Sequence, residues 1–516
     1  MGEVYYVTTP IYYVNDMPHI GTAYTTVAAD AIARYQRLKG REVFFLTGID
    51  EHGQKVAQAA AERNESPQAW ADRMQPHFTD TWKLLDISND DFLRTTQNRH
   101  TEVAQLFIEK LRDKGDVYLG AYEGWYCIHD EAFLLSSQLV SGACPECRRP
   151  VEWVKEENYF FRLSNYADRV LKHIEENPEF IQPESRRNEV VSFIKSGLSD
   201  QSVSRTSFTW GIPLPFDPRH VMYVWFDALL NYVSAIDFGS DAARFERTWP
   251  ADLHLLGKEI LRFHAVIWPA MLMAAELPLP RRVFAHGWLT VEGEKMSKSL
   301  GNAIPPAELV EEYGVDAYRY YFLREFSFGL DGNFSRRTML KRYNAELAND
   351  LGNLESRVLT MVSKYRDGRA PEAGAPTAEE DRLADEASEL ARVVDGKMAV
   401  PAFNDAMAAI WDFIHTINRY VDVSAPWSLA KDPALGADLD RVLYNSLEGL
   451  RVIAVFVSPF MPGTAAKMWE RLGIREPLSS ARLPGAANWG QLPPGVTTSR
   501  GEGLFPRKME SEEEGG

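Results

Sequence analysis

The sequence predicts an α/β protein in which a doubly wound, Rossmann-type parallel sheet carries an insertion and is followed by an all-α helical bundle. Three observations lead to this prediction. Strand, helix and strand patterns follow one another near the N-terminus, as at the start of a doubly wound sheet. Sheet-like patterns resume in residues 221–290, after an irregular stretch, and the apolar spacing beyond residue 336 is helical.

The N-terminal elements are predicted from short-range patterns. Residues 3–9 (EVYYVTT) are rich in β-favouring side chains, and residues 10–18 follow as a loop. Apolar residues recur at helical spacing over residues 20–38, and Gly40 stands where a helix C-cap is expected. A second strand over residues 42–47 completes the unit.

The binding crevice of a doubly wound sheet lies at the carboxyl ends of its strands. Both PHIG (18–21) and GIDEHG (48–53) fall there. Later sheet-like runs are predicted in VMYVWFDAL, DLHLLGKEI and RRVFAHGWL. The predicted divisions are a first half of the sheet (1–115), an insertion (116–220), a second half (221–290), a region with a Lys/Ser loop (291–335), a helical domain (336–475) and a C-terminal extension with an acidic, disordered tail (476–516).

Composition limits the function classes. A chain of 516 residues is too long for one core, so about two to four domains are expected. The net charge of −17 argues against non-specific nucleic-acid binding over the whole surface, so any RNA contact must depend on a local basic face. No apolar run is long enough to span a bilayer, and the N-terminus lacks a secretory pattern. A cytoplasmic protein without membrane contact is therefore expected.

Two short motifs carry the chemistry. PHIG places His19 and Gly21 at a helix opening, where free N–H groups and the helix dipole suit phosphate. An ordinary histidine at a helix start accounts for PHIG alone equally well. KMSKS (295–299) puts lysines in a glycine-bearing loop, where they can reach a triphosphate and neutralise the leaving pyrophosphate. Isolated Lys/Ser runs are usually solvated loops, but the pair in this order is far more specific.

PHIGT resembles the HIGH signature, and KMSKS matches the second signature, of class I aminoacyl-tRNA synthetases. The strings TTPIYYVND, FFLTGIDEHG, RTSFTWGIP, YVWFDALLNY, GKEILRFHAVIWPA, FAHGWL, LANDLGN and APWSLAK resemble methionyl-tRNA synthetases of the bacterial type over the catalytic and anticodon-binding length. Thr22 departs from the signature at its fourth position. Because a hydroxyl cannot carry an imidazolium charge, Thr22 is expected only to position the nucleotide.

The resemblance implies a ligase that activates L-methionine with ATP and Mg²⁺ and transfers it to tRNA(Met), the initiator included, releasing AMP and pyrophosphate. Residues 1–115 and 221–290 are then the two halves of the catalytic domain, 291–335 holds the KMSKS loop and stem-contact region, and 336–475 binds the anticodon. His19, Lys295 and Lys298 are implied as catalytic. The implied ATP-binding residues are His19, Gly21, Thr22, Lys295, Ser297 and Lys298.

A thioether offers no strong hydrogen-bonding group, so its selection needs a shaped apolar and aromatic cavity with a polar contact. Asp50 is implied to hold the methionine ammonium, although a turn or N-cap aspartate is the common alternative. Tyr232 and His264 would supply polar groups near sulfur, and which one donates stays open. The implied methionine-binding residues are Ile11, Tyr13, Asp50, Trp225, Ala228, Tyr232, Ile260, His264 and Trp268.

The spacing of Ile260, His264 and Trp268 puts all three on one helix face, which an amphipathic core helix would also explain.

A degenerate zinc knuckle is implied in the insertion. Its ligands would be Cys127, Asp130, Cys144 and Cys147, with Asp130 where a second cysteine normally stands. The DE pair at 130–131 resembles zinc-free relatives, so zinc content stays open and a metal is expected to be dispensable. The insertion is too short for the large editing domain of the leucine, isoleucine and valine enzymes.

The anticodon CAU is implied to be read by four residues, Asn353, Arg357, Pro426 and Trp427. Asn353 and Arg357 lie one helical turn apart, and Trp427 offers a stacking surface for an unpaired base. A locally basic stripe suits phosphate contact, although solvated helix faces look similar. It contains Arg336, Arg337, Lys341, Arg342, Arg357, Lys364 and Arg366. No appended β-barrel is recognised, so a monomer is expected.

Three alternatives are weaker. A cysteinyl enzyme of the same class would need a zinc site beside its amino-acid pocket, and the sequence shows no such ligand set there. A tRNA-binding protein without catalysis is supported by Thr22 alone and opposed by intact KMSKS and Asp50. A simple nucleotidyltransferase leaves the helical C-terminal region unexplained.

Overall fold

The protein forms two compact units. A computed structural model describes residues 4–128, 131–134, 136–145, 147–296 and 302–509. The first unit contains Met1–Ala29 and Glu42–Trp288, and the second contains Asp30–Arg41 and Leu289–Gly516. Within the described ranges, no helix has the length and apolar character needed to cross a bilayer.

Fourteen strands belong to the first unit. They are β1 (Tyr5–Thr8), β2 (Tyr12–Tyr13), β3 (Val43–Asp50), β4 (Asp91–Arg94), β5 (Val117–Cys127), β6 (Ala132–Leu134), β7 (Glu152–Phe161), β8 (Ile181–Gln182), β9 (Gln201–Ser202), β10 (Ser204–Arg205), β11 (Pro213–Leu214), β12 (Asp217–Met222), β13 (Leu253–Gly257) and β14 (Val283–His286), as counted over the described residues.

The helices of this part of the chain are α1 (Ile20–Leu38), α2 (Gln54–Ala61), α3 (Pro67–Leu84), α4 (Asn98–Asp113), α5 (Ala167–Glu176), α6 (Glu184–Lys195), α7 (Val224–Leu229), α8 (Asn231–Ser234), α9 (Ala242–Thr248) and α10 (Trp268–Ala274). Helix α1 is divided between the units: its residues up to Ala29 belong to the first, and those from Asp30 belong to the second.

The main sheet of the first unit is parallel and doubly wound, which confirms the predicted fold class. Its order is β2–β3–β1–β13–β14–β8, and β4 also pairs with β3. In register, Thr8 of β1 faces Leu46 of β3 on one side and His254 of β13 on the other. The strands that follow β1 early in the chain, β2 and β3, therefore lie on one side of it, and the later strands β13 and β14 lie on the other. This reversal at β1 is the position at which doubly wound sheets open a crevice.

The predicted N-terminal elements match the structure closely. Strand β1 lies inside the predicted range, and α1 has the predicted bounds. All four residues of β1 are buried, as expected for a strand covered on both faces of a parallel sheet. Strand β3 extends beyond the predicted range to Asp50. Strand β2 lies inside the predicted loop.

One predicted sheet-like run is partly wrong. In VMYVWFDAL only the first two residues belong to a strand, β12, whereas VWFDAL forms helix α7. Every residue of α7 except Trp225 is buried. A short segment that is apolar on all sides shows no periodicity that separates a buried strand from a buried helix.

The insertion contributes an antiparallel sheet with the order β6–β5–β7–β9. Strands β5 and β7 pair over ten residues, from Val117 opposite Phe161 to Tyr126 opposite Glu152. A smaller antiparallel sheet has the order β10–β12–β11. The long β5–β7 ladder holds the insertion together through backbone hydrogen bonds.

The second unit is mainly helical, as predicted beyond residue 336. Its strands are β15 (Leu289–Val291), β16 (Glu294–Lys295) and β17 (Gly332–Phe334). Its further helices are α11 (Pro306–Tyr313), α12 (Val315–Glu325), α13 (Arg336–Arg342), α14 (Asn353–Arg366), α15 (Ala378–Ala399), α16 (Phe403–Ser424), α17 (Pro426–Leu429), α18 (Gly436–Val457) and α19 (Pro462–Arg471). A π-helical segment, Tyr343–Gly352, joins α13 to α14.

A buried ion pair lies in this unit. Arg319 of α12 donates to Asp30 of α1 at 2.6 Å, and both side chains are fully buried. Arg319 also donates to the carbonyls of Pro459 (3.1 Å) and Phe460 (2.9 Å). Because both charges of the pair are buried, losing one partner would leave the other charge uncompensated.

Residues 476–509, here called the C-terminal strap, run across the second unit without long helices. The Leu483 N–H donates to Leu38 (2.9 Å), Ala370 donates to Val496 (3.0 Å), and Thr498 donates to Gly368 (2.7 Å), each to the backbone carbonyl. The strap is therefore tied down at several points. The acidic tail that was expected to be disordered, residues 510–516, lies outside the described residues.

Two buried side chains of α18 hold the strap. Arg451 pairs with Glu448 at 2.7 Å, and the pair is almost fully buried. Arg451 donates to the carbonyls of Ala486 (2.7 Å) and Asn488 (2.8 Å). Glu448 accepts from the backbone N–H groups of residues 490 (2.8 Å), 491 (3.0 Å) and 492 (2.9 Å). Paired and hydrogen-bonded in this way, the two charges satisfy the conditions for burial.

Candidate functional site

The PHIG motif lies at the opening of α1, as predicted, but the histidine itself caps the helix. His19 Nδ1 accepts from the backbone N–H groups of Gly21 (3.1 Å) and Thr22 (3.4 Å). These N–H groups were expected to be free for phosphate. Because Nδ1 is an acceptor, the ring proton lies on Nε2 when the imidazole is neutral, and burial lowers the pKa of His19. His19 therefore offers one neutral N–H donor.

Thr22 closes the same turn from the other side. Its Oγ1 accepts from the backbone N–H of His19 at 3.4 Å. The two residues therefore form a reciprocal arrangement of the capping-box kind. One turn further, Thr25 lies 2.6 Å from Nε2 of His286 at the end of β14. This contact brings the opening of α1 to the carboxyl edge of the sheet.

Asp50 ends β3 and is buried at the same edge. Its exposed fraction is 3%, and its Oδ1 accepts from the backbone N–H of His52 at 3.4 Å. Burial raises the pKa of Asp50 well above its usual value, and the neighbouring carboxyl groups of Asp227 and Glu131 raise it further. A site with several buried carboxyl groups favours a cation, because an ammonium ion would restore the ionised form of Asp50.

Asp227 forms a network that the sequence analysis missed. One carboxylate oxygen lies 2.7 Å from Nδ1 of His52, and the other lies 2.6 Å from Nε2 of His100. His100 continues to Ser234 Oγ at 2.8 Å. The two histidines lower the pKa of Asp227 to about 2, against the effect of burial. The sequence signal was the FDA string inside YVWFDALLNY, which places Asp227 beside Ala228.

Glu131 is a second missed residue. It is 1% exposed, and its carboxylate accepts from the Tyr13 hydroxyl and from the Lys55 N–H at 2.9 Å. Its backbone carbonyl accepts from the Tyr223 hydroxyl. Glu131 belongs to the insertion but contacts residues from the main sheet, which no local pattern could reveal.

Three of the predicted pocket residues, Tyr232, His264 and Ile260, are linked by hydrogen bonds. The Tyr232 hydroxyl lies 2.7 Å from His264 Nε2, and His264 Nδ1 lies 3.0 Å from the Ile260 carbonyl. A carbonyl can only accept, so Nδ1 carries the proton and Tyr232 donates to Nε2. Burial lowers the pKa of His264 to about 4, so this histidine is neutral near pH 7. Within this pair Tyr232 is therefore the donor, and which group donates near the sulfur stays a prediction.

Trp268 packs against Tyr232 and is fully buried. Its ring centroid lies 5.9 Å from that of Tyr232, and its Nε1 donates to His254 Nε2 at 3.3 Å. His254 Nδ1 lies 2.7 Å from Thr8 Oγ1 on β1. Burial lowers the pKa of His254 well below its usual value. The cluster is therefore aromatic, uncharged and hydrogen-bonded internally.

Three other predicted pocket residues also have contacts or burial that the structure defines. Trp225 is partly exposed and stacks on Phe263, with centroids 4.0 Å apart and planes inclined by 12°. Ala228 is buried in α7. Ile11 is partly exposed and lies against Gly48 of β3, where a built Cβ would approach its Cγ2 to 3.0 Å. Sequence reasoning missed Phe263.

The expectation that Ile260, His264 and Trp268 share the face of one regular helix is wrong in detail. Lys258–Ile260 is a 3-10 turn, Phe263–Ile267 is π-helical, and α10 begins only at Trp268. A wide π turn rotates the following residues relative to an ordinary helix, and such turns are frequent at functional sites. The Ile260 carbonyl accepts a hydrogen bond from His264 Nδ1, so the proton of the neutral ring lies on Nδ1.

The KMSKS segment is described only at its start. Lys295 lies in strand β16, which pairs antiparallel with β15, so the segment begins in a hairpin and not in a loop. The hairpin turn is held by Asn333, whose Oδ1 accepts from the Gly293 N–H at 2.6 Å. Ser297 and Lys298 lie outside the described residues.

Three cysteines of the insertion converge. The sulfur atoms of Cys127, Cys144 and Cys147 all lie within 4.8 Å of one another, and those of Cys127 and Cys147 are 3.5 Å apart. Three thiolates at this spacing suit zinc, which prefers four tetrahedral ligands. Asp130, the predicted fourth ligand, lies outside the described residues.

The predicted anticodon residues occur on neighbouring elements of the second unit. Asn353 is exposed at the start of α14, and Arg357, one turn later, pairs with Asp422 of α16 at 2.5 Å. Asp422 precedes Pro426 and Trp427 by about one helical turn. Pro426 is buried at the start of α17, whereas Trp427 is 40% exposed. An exposed tryptophan offers a stacking face to an unpaired base, and Arg and Asn side chains can form hydrogen bonds to its edge.

A doubly wound parallel sheet whose first helix opens on PHIG, in one chain with KMSKS and a helical domain, defines a class I aminoacyl-tRNA synthetase. The family profile described as "tRNA synthetases class I (M)" matches residues 5–153 and 148–359, and "Anticodon binding domain of methionyl tRNA ligase" matches residues 370–515. The chain belongs to the methionyl-tRNA synthetase family, which confirms the resemblance.

Individual relatives agree over nearly the full length. The methionine–tRNA ligase of Streptomyces coelicolor is 49% identical over 525 residues, covering 99% of this chain and 97% of the relative. That of Caldanaerobacter subterraneus subsp. tengcongensis is 52% identical over 508 residues, covering 98% of this chain and 79% of the relative. The solved Mycobacterium tuberculosis methionyl-tRNA synthetase in complex with methionyl-adenylate has a TM-score of 0.93 at 45% identity, covering 98% of this chain and 100% of that one.

Proposed function

We propose that this chain is a methionine–tRNA ligase that activates L-methionine with ATP and transfers the methionyl group to tRNA(Met), including the initiator. The observation that carries the proposal is the neutral aromatic group of Tyr232, His264 and Trp268 at the sheet edge where the buried Asp50 also ends its strand. An apolar side chain and an ammonium group are the two features that methionine presents.

Asp50 binds the ammonium group. Asp227 and Glu131 make the surroundings of Asp50 negative, and the desolvated ammonium gains most from a carboxylate partner. Asp227 is held by His52 and His100, so it keeps its charge and position without approaching the substrate. Glu131 fixes Tyr13, which is one of the proposed pocket residues.

The thioether lies among Ile11, Tyr13, Trp225, Ala228, Tyr232, Ile260, His264 and Trp268. The neutral state of His264 keeps the cavity free of charge, which suits an apolar chain. The hydroxyl proton of Tyr232 is engaged by His264. With that proton engaged, the Tyr232 hydroxyl contacts the sulfur without donating a hydrogen bond to it.

In the first reaction step, a methionine carboxylate oxygen forms a bond to the ATP α-phosphorus, and the bond from that phosphorus to the bridging oxygen breaks. Pyrophosphate leaves with that oxygen, and methionyl-adenylate remains. The nucleotide enters as its magnesium complex. No side chain acts as nucleophile, so catalysis consists of positioning and charge stabilisation. The proposed groups are Nε2–H of His19, the positive end of the α1 dipole at Gly21 and Thr22, and the KMSKS residues Lys295, Ser297 and Lys298, whose assignment comes from the motif. Because His19 Nδ1 already accepts from the N–H groups of Gly21 and Thr22, α1 acts here through its dipole.

In the second step, the 2′-hydroxyl of the terminal tRNA adenosine attacks the carbonyl carbon of the adenylate. The new ester forms as AMP departs with the carboxyl–phosphate oxygen.

The anticodon CAU is read by Asn353, Arg357, Pro426 and Trp427. Zinc would be held by the three clustered cysteines, Cys127, Cys144 and Cys147, with Asp130 as the fourth ligand, and it would supply a structural cross-link within the insertion. The working form is a cytoplasmic monomer.

ATP–pyrophosphate exchange measured with each of the twenty amino acids tests the proposal. Exchange is expected with methionine and, at most weakly, with close apolar analogues, because one methylene changes recognition by about 1–3 kcal/mol. Exchange that depends on cysteine instead, or exchange with no amino acid, would contradict the proposal.

A further inference from the structure

A groove with exposed cations lies on the second unit, and none of the residues assigned above to methionine, ATP or the anticodon lines it. It has a volume of about 720 Å³ and is lined by Arg337, Thr338, Leu340, Lys341, Asn344, Ala345, Asn349 and Arg507. Seven of these residues come from α13 and the π-helical segment that follows. Arg507 comes from the C-terminal strap, about 160 residues later in the chain.

Four of the seven cations in the basic stripe predicted from the sequence are paired with acidic side chains in the structure. Arg336 pairs with Glu308 and Glu312, Arg342 with Glu325 and Glu346, Arg357 with Asp422, and Arg366 with Asp440. In the described part of the chain, Arg337 and Lys341 have no acidic partner within ion-pair distance. They are one helical turn apart and both exposed, so they point the same way.

The strap places a third cation beside these two. The Tyr343 hydroxyl donates to the Pro506 carbonyl at 3.0 Å. Asn344 exchanges two hydrogen bonds with the backbone of Lys508, each of 2.9 Å. These bonds fix the backbone on both sides of Arg507. Its exposed guanidinium therefore lies at the groove, and no acidic partner is found for it within the described ranges 4–128, 131–134, 136–145, 147–296 and 302–509.

We propose that this groove binds backbone phosphates of the tRNA and that the C-terminal strap is a working part of the tRNA-binding surface through Arg507. The proposal rests on the proposed function, because it takes tRNA(Met) as the ligand. It assigns a role to residues 503–509, which sequence reasoning left as an extension without one.

The lining favours phosphates over bases. Three uncompensated cations converge there, and Asn344 and Asn349 add amide groups that suit phosphate or ribose oxygens. No aromatic side chain is among the lining residues, so the groove offers no stacking face for a base. In a protein of net charge −17, a local cluster of unpaired cations is also the feature that an RNA contact requires.

The test is the salt dependence of tRNA(Met) binding by the full-length chain. A lost phosphate contact reduces the slope of log affinity against log salt by about 0.7–0.9, which corresponds to roughly fivefold weaker binding at 150 mM salt. Arg507→Gln, Arg337→Gln and Lys341→Gln should each show this change. Methionine-dependent pyrophosphate exchange without tRNA should stay at the wild-type level in all three variants.

Arg500→Gln is the matched control, because Arg500 is exposed on the same strap and does not line the groove. It removes the same charge and should leave affinity and slope nearly unchanged. The groove proposal would be contradicted if the three groove variants kept the wild-type affinity and salt slope. It would also be contradicted if Arg500→Gln lost as much affinity and slope as they do. A wild-type chain that does not charge tRNA(Met) at all would instead refute the proposed function, and the groove proposal with it.

Discussion

Replacing Trp427 by alanine separates two roles that the structure allows for this side chain. As an anticodon-stacking residue, Trp427 contributes roughly 1–3 kcal/mol per base. Its 40% exposure leaves a broad face for that contact. We therefore expect tRNA(Met) charging to fall by one to two orders of magnitude, taking about 1.4 kcal/mol per tenfold.

The buried part of the side chain sets the competing effect. A tryptophan buries about 150–250 Å² when fully enclosed, so the 60% of Trp427 that is covered corresponds to roughly 120 Å². At about 25 cal/mol per Å², its removal costs up to about 3 kcal/mol of folding free energy. The two effects are similar in size, and only different assays distinguish them.

Three measurements resolve the question. Charging of tRNA(Met) should fall, whereas methionine-dependent pyrophosphate exchange without tRNA should hardly change, and thermal unfolding should report any packing loss directly. Val423→Ala is a suitable control, because Val423 lies on the same segment and is 75% exposed. Equal losses of charging and exchange, together with a lowered melting temperature, would show that Trp427 acts by packing. Unchanged charging would refute the anticodon assignment.

Three further predictions concern the first reaction step, the pocket and the insertion. Lys298→Ala should slow activation by roughly 100-fold or more, on the order of 3 kcal/mol, and near-normal pyrophosphate exchange would remove Lys298 from the mechanism. His264 has a folded pKa of about 4, below the unfolded value of about 6.5, so its contribution to stability is present above pH 6.5 and is lost as the pH falls towards 4. The unfolding free energy of the wild type should therefore fall between pH 7 and pH 5, and that of His264→Gln should fall by about 2 kcal/mol less. Equal decreases in the two proteins would contradict the low pKa of His264. Chelation should leave the β5–β7 sheet folded and pyrophosphate exchange intact, whereas elemental analysis showing one tightly held zinc, with unfolding when it is removed, would show that the metal is required.

Local patterns predicted the elements whose signals are complete within a few residues. Helix α1 has an apolar repeat and a terminal Gly40, which adopts a positive φ of 79° there, and its bounds are as predicted. Helix α7 has no such signal, because nearly all its residues are buried and its pattern is that of a buried strand. The π turn at Phe263–Ile267 likewise leaves no mark in residue spacing.

Residues that act through distant partners could not be found from the sequence. Glu131 contacts Tyr13 across more than one hundred positions, and Asp227 meets His52 and His100 across similar separations. The paired arginines of the basic stripe show the opposite case, in which residues predicted to bind a ligand turn out to have partners within the protein. Composition correctly showed a local excess of cations, but only the positions of the acidic side chains reveal that Arg337 and Lys341 keep their charge free for a ligand.

The way in which Glu448 and Arg451 hold the strap has a consequence for divergence among relatives. Both side chains bond to backbone N–H and carbonyl groups of residues 486–492 and to each other. A clamp that bonds only to main-chain atoms does not depend on the identity of the side chains that it holds. Substitutions should therefore accumulate at the exposed positions of this stretch while its path is retained, whereas Ala487 and Leu492 are buried and should stay small or apolar. Glu448 and Arg451 themselves should change only as a pair, since either one alone would be a buried charge without its partner.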